Sequence, residues 1–208
     1  MSAKRENRVP LTGPEEALLN EAFTDPDYIK MNRIQDYEIG MSKSILRELI
    51  ERAKFQLGRE FGGANAKSNE IGFMPIQPHH VGGSLTWSGN YGSTGWQTSS
   101  SGSNNNVMKN TTIPDDTWIG FWAWEDRNEL PKVEALQATV GNEQLQIDDI
   151  YNVLTDAHHR HILQEPVLLL PKSIYKMDTK VRQIGDSELK PVGWAVTTGA
   201  NLAKKTYY

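Results

Sequence analysis

A chain of 208 residues with a net charge of -4, 38% hydrophobic and 23% charged residues, leaves room for one domain with appendages, or for one domain and a small second one, around a modest apolar core. The acidic balance argues against specific nucleic-acid recognition as the main function, and the lack of cysteine excludes disulfides, thiolate metal sites and cysteine nucleophiles. No apolar run approaches the roughly 20 residues of a membrane span, and Met1–Arg8 has no apolar core of a secretory signal.

Residues 1–60 read as an N-terminal arm carrying one or two helices. Pro14 followed by Glu15 and Glu16 suits the first turn of a short helix that stops before Asp25-Pro26. A stronger helix runs from Ser42, a residue suited to capping, to Leu57. Its stripe is Ile45, Leu46, Leu49, Ile50 and Ala53, with Gly58 placed to terminate it. Glu48 and Arg52, and Arg47 and Glu51, are i,i+4 pairs on its polar side. The stripe can pack on the chain's own β core or dock on a neighbouring subunit. Polar residues before Leu11 bury too little area to order themselves and need something else to lean on.

Residues 61–116 read as loop-rich. A short strand is expected at Ile71–Ile76, followed by an insert, Ser84–Asn110, rich in Ser, Gly, Asn and Thr. Trp87, Tyr91 and Trp96 set it apart from a plain linker, because aromatic rings give a large contact area at low entropy cost.

Residues 117–208 read as the β-rich core with a polar tail. In Thr117–Trp124, Trp118, Trp122 and Trp124 fall on one face of a strand, and Ile119, Phe121 and Ala123 on the other. Both faces being apolar predicts a central strand covered on two sides. Lys132–Val140 and Glu143–Ile147 flank Gly141-Asn142 as a hairpin. Ile147, Ile150, Tyr151 and Leu154 predict a short helix or turn behind Asp148. Val167–Leu170, Ile174–Ile184 and Pro191–Thr198 bring the count to six or seven strands. The predicted fold class is therefore mainly β, an antiparallel β-sandwich or jelly-roll-like core behind a helical arm.

Chemistry is sparse. The histidines cluster at His79-His80 and at His158, His159 and His161, where three imidazoles could hold a borderline metal if the loops met. Adjacent histidines in a strand point to opposite faces, so solvated or interface histidines are the simpler expectation, and no metal or other cofactor is expected. Glu125-Asp126 and Asp148-Asp149 could serve acid–base work, but each pair is read as part of a turn. No nucleophile elbow, phosphate loop or zinc-protease motif occurs, so no enzyme is expected.

An arm at 1–60, an aromatic-bearing insert at 84–110 and a strand series at 117–198 together resemble the architecture of viral coat proteins of the jelly-roll or related β-sandwich type. The resemblance lies in organisation and carries no motif. It implies a structural subunit assembling with copies of itself, and with other virion proteins in the case of a minor component, inside the virion after assembly in the host cytoplasm. Ile45, Leu49, Ile50, Trp87, Tyr91 and Trp96 are the expected interface residues. The alternative is a carbohydrate-binding module or glycan-active enzyme, with Trp87 and Trp96 and the Glu125/Asp126 edge around a groove.

Overall fold

Leu46, Leu49, Ile50 and Ala53 recur at helical spacing, and all four are fully shielded from solvent at the centre of the N-terminal helices. The computed structural model describes residues 7–25, 29, 34–77, 97–100, 105–126, 133–149, 160–181 and 185–203. Its helices are α1 (Gly13–Thr24), α2 (Ile39–Leu57) and the short α3 (Gly199–Ala203). The strands are β1 (Ile71–Pro75), β2 (Gln97–Ser100), β3 (Asn105–Thr112), β4 (Thr117–Asp126), β5 (Val133–Val140), β6 (Glu143–Asp149), β7 (Arg160–Leu169), β8 (Ile174–Val181) and β9 (Gly185–Thr198). One sheet has the order β1-β9-β4-β7, with β2 also on β9; the other is β3-β8-β5-β6. The pairings β1–β9, β2–β9, β3–β8, β5–β6 and β5–β8 are antiparallel. The chain is thus mixed, helices with two antiparallel sheets.

The chain divides into two compact units. The first comprises residues 1–75, 116–120 and 194–208; the second comprises 76–115 and 121–193. Strands β4 and β9 contribute residues to both.

In the first unit, Trp194 of β9 is the organising side chain. Phe23 of α1 and Phe73 of β1 meet it edge-on at 5.9 and 5.6 Å between ring centroids. Its indole Nε1–H donates to Ser42 Oγ at 2.9 Å. Ser42 therefore does not cap α2, which begins three residues earlier; it sits inside the helix and accepts the tryptophan's one donor. Gly58 ends α2 at φ 62°, the left-handed conformation in which a side chain would clash, and its N–H bonds the Lys54 carbonyl. Leu19 and Phe23 of α1 and Ile34 are buried. These three side chains of the expected arm are therefore part of this unit's core.

Helix α3 approaches the 63–67 segment so closely that a Cβ on Gly199 would overlap the Lys67 carbonyl oxygen and lie 2.6 Å from that of Ala66. Both are backbone atoms tied into the turn before β1, where Glu70 N–H bonds Lys67 O and Gly199 N–H bonds Glu70 O. Gly199→Ala should lower stability by about 1–3 kcal/mol in urea denaturation, because backbone rather than a side chain has to move.

In the second unit, Phe121 of β4 meets Trp124 and Tyr175 edge-on at 5.3 and 6.2 Å. Tyr175 lies on β8, so this ring contact joins a strand of one sheet to a strand of the other. Along β4, Trp118 and Ile119 of the first unit and Phe121, Trp122, Ala123 and Trp124 of the second are all at most 1% exposed, as two apolar faces on one strand require. The Gly141-Asn142 turn joins β5 to β6, with Gly141 at φ 62° as a tight hairpin demands.

The β7–β8 turn carries a strained residue. Lys172 adopts φ 64°, held by its N–H to the Ile113 carbonyl and by Ile113 N–H to Ser173 O, both 2.9 Å. Ser173 bonds back to Leu170 O through its N–H at 3.1 Å and its hydroxyl at 2.6 Å. Lys172→Gly should raise the unfolding free energy by about 1 kcal/mol by relieving this conformation. An unchanged denaturation midpoint would place the strain elsewhere.

Two expectations need correction. The insert is not wholly irregular, since β2 and β3 lie within 84–112. Residues 147–149 continue strand β6 against β5, and the short helix or turn expected behind Asp148 falls on Ile150–Leu154, outside the described residues. Residues 160–169 are one long strand where only 167–170 was expected.

Candidate functional site

Among the described residues, buried charge comprises Glu38, whose Oε2 accepts the Gln35 N–H at 2.8 Å just ahead of α2, and two ion pairs. The first pair is built on Glu15, in the first turn of α1. Its Oε2 accepts the Thr12 N–H at 2.7 Å and the Thr12 hydroxyl at 2.9 Å, and it is paired with Lys54 of α2. Its Oε1 accepts the Phe61 N–H at 2.8 Å. Burial pushes this carboxyl up, but the donors from Lys54, Thr12 and Phe61 outweigh it and bring the pKa from 4.5 down to about 2. Lys54 also donates to the Pro10 carbonyl at 3.1 Å. One buried ion pair thereby joins four segments of the first unit: the residues before α1, α1 itself, α2, and the turn before β1.

The second pair is in the other unit, where Arg160 Nη2 at the start of β7 meets Glu125 Oε2 near the end of β4 at 2.7 Å. Glu125, a carboxylate offered by sequence for acid–base work, is thus paired with Arg160 and nearly shut off from solvent. Glu125-Asp126 ends a strand and Asp148-Asp149 closes another, so neither pair sits in the turn assigned to it.

The predicted interface residues divide. Ile45, Leu49 and Ile50 are buried within the chain's own fold, at most 5% exposed, and offer no free surface to a neighbour. Trp87, Tyr91 and Trp96 lie outside the described residues, as do His79, His80, His158 and His159. His161 is on β7 and half-buried. Among the described residues no three His, Asp or Glu side chains are grouped to hold a metal ion, and no helix is long and apolar enough to cross a membrane.

Large apolar side chains do reach the surface elsewhere. Leu170 and Ile174, 40% and 44% exposed, flank the strained Lys172 turn. Tyr37 and Phe55 are exposed on the first unit. A turn pinned by four hydrogen bonds presents its two apolar residues at little further cost in conformational entropy.

Sequence reasoning missed the Glu15–Lys54 pair, although two signals for it were present. Thr12-x-x-Glu15 has capping-box spacing, and Lys54 continues the buried row Leu46–Ile50 at i+4. The Arg160–Glu125 pair left no local signal, because 35 residues separate its members. No protein-family model matches this sequence, and comparison with curated proteins finds no match.

Proposed function

We propose that this chain is a structural subunit that assembles with copies of itself, most simply as a viral capsid, coat or other virion structural protein. On this reading its two antiparallel sheets form a sandwich of the jelly-roll kind, and it acts in the virion after assembly in the host cytoplasm. The observation that carries the reading is the rigid, exposed Leu170–Ile174 turn, an apolar projection of the sort that repeated contacts between identical copies exploit. The Phe121–Tyr175 contact between strands of different sheets supports the sandwich. Function would then be multivalent burial: each contact is modest, and closed symmetry repeats it. Other virion proteins enter as partners if the chain is a minor component.

The alternative is a carbohydrate-binding module or glycan-active enzyme, and of the two carboxylates at its expected edge Glu125 is paired with Arg160. Electron microscopy of the purified protein distinguishes the two. Shells, rings or filaments that disappear in a Leu170→Ser/Ile174→Ser variant are the expected result. A field of single small particles unaffected by that double substitution would remove the assembly reading.

A further inference from the structure

The segment just before α1 runs across the outside of α2. Arg8 Nη2 donates to Glu48 Oε1 at 3.0 Å, Val9 N–H donates to the Glu51 carbonyl at 3.1 Å, and the Pro10 carbonyl accepts from Lys54 Nζ. The segment itself buries little: Val9, Pro10 and Thr12 are exposed, and Arg8 and Leu11 only half-buried. It is held by charge and hydrogen bonds, not by apolar area.

Each anchor on α2 has a second partner that stays when the segment leaves. Glu48 Oε1 also accepts from Arg52 Nη2 and Nε at 2.8 and 3.1 Å, within the same helix. Lys54 keeps Glu15. The Glu51 carbonyl belongs to the helix's own i→i+4 ladder. Detachment therefore strands no buried charge, the event that makes most ion-pair losses costly. At the other end, Glu15 fixes Thr12 and sets where the free segment begins.

We propose that residues 8–11 are a reversible strap over α2, closed by the Arg8–Glu48 and Lys54–Pro10 contacts and opened by charge screening, which bares the polar side of α2 that carries Glu48 and Glu51. The strap does not depend on the assembly reading. In an assembly, opening would be the step that frees this segment and this helix face for a neighbouring copy.

Hydrogen exchange of the Val9 amide in the full-length protein tests it, with Leu49 and Ile50 as internal references. In about 20 mM salt, Val9 should exchange roughly tenfold or more slower than an unstructured amide, and that protection should fall several-fold by about 0.5 M salt, with Leu49 and Ile50 unchanged. Arg8→Gln, at a half-exposed position, should reproduce the high-salt rate at low salt. Protection of Val9 that ignores both salt and Arg8→Gln would make the segment a fixed part of the fold and overturn the proposal. A Val9 amide unprotected at low salt would overturn it too. Light scattering on the same samples keeps the two readings separate, because a strap that opens on a protein that stays monomeric removes only the assembly reading.

Discussion

Replacing Lys54 by methionine should lower the unfolding free energy by about 3–5 kcal/mol, a large part of the roughly 5–15 kcal/mol that holds a domain folded. The substitution keeps an unbranched apolar stem on the buried face of α2 but removes the cation facing Glu15, leaving a carboxylate with three neutral donors in a nearly dry site. Glu15→Gln combined with Lys54→Met should recover part of the loss, since an uncharged side-chain oxygen can still accept the Phe61 N–H. Urea denaturation of the two single variants and the double variant gives the coupling. Additive losses would mean that the pair does not act as a unit.

The same pair sets a pH dependence. The Glu15 pKa is lower in the folded chain, about 2 against 4.5, so its stabilisation is fully present above pH 4.5 and is lost as pH falls through that window toward 2. That interval corresponds to about 3 kcal/mol. Unfolding measured across this window should show a steep acid limb in the wild type and a shallower one in Lys54→Met. Equal limbs would place the acid sensitivity on other carboxyls.

Arg160→Met should cost a similar amount, about 3–5 kcal/mol, in the second unit. Here the group left behind is Glu125, at 5% exposure on the strand with the densest apolar packing in the chain. Glu125→Gln/Arg160→Met should be appreciably more stable than Arg160→Met alone, because the isolated buried charge is gone. Denaturation followed by near-ultraviolet circular dichroism, to which Trp122 and Trp124 of this unit contribute, checks the prediction. A loss in Arg160→Met no larger than in the double variant would show that Glu125 reaches water or another cation once Arg160 is removed.

What was legible in the sequence was the information carried by local pattern. The α2 stripe, its Gly58 stop, the two-faced strand β4 and the Gly141-Asn142 hairpin each lie within about a dozen residues, and each has the expected form. Less legible was whatever depends on distant partners. Ser42 looks like a cap because its hydroxyl can accept a helix N–H, yet that hydroxyl is taken by Trp194, 152 residues away. The polar residues before Leu11 were expected to need a support, and for Arg8, Val9 and Pro10 that support is the chain's own α2. Strands β2 and β3 are polar stretches whose pairing follows from β9 and β8 rather than from their own composition. Strand β7 holds Pro166 within its length, and β7 ends the sheet order, the edge position where proline is tolerated.

The same division applies to the candidate site. Ile45, Leu49 and Ile50 were as consistent with a core as with an interface, and the chain uses them as core. Leu170 and Ile174 were read in sequence only as the ends of two strands; the hydrogen bonds to Ile113 and Leu170 are what turn them into a fixed projection.

The central claim is self-assembly, and the most direct test is the mass of the purified protein by light scattering across a concentration series. The account predicts particles far larger than the 23.4 kDa chain, growing or appearing with concentration, and a shift toward the single-chain mass in Leu170→Ser/Ile174→Ser. A mass of one chain at every concentration, with the double variant indistinguishable from the wild type, would contradict it.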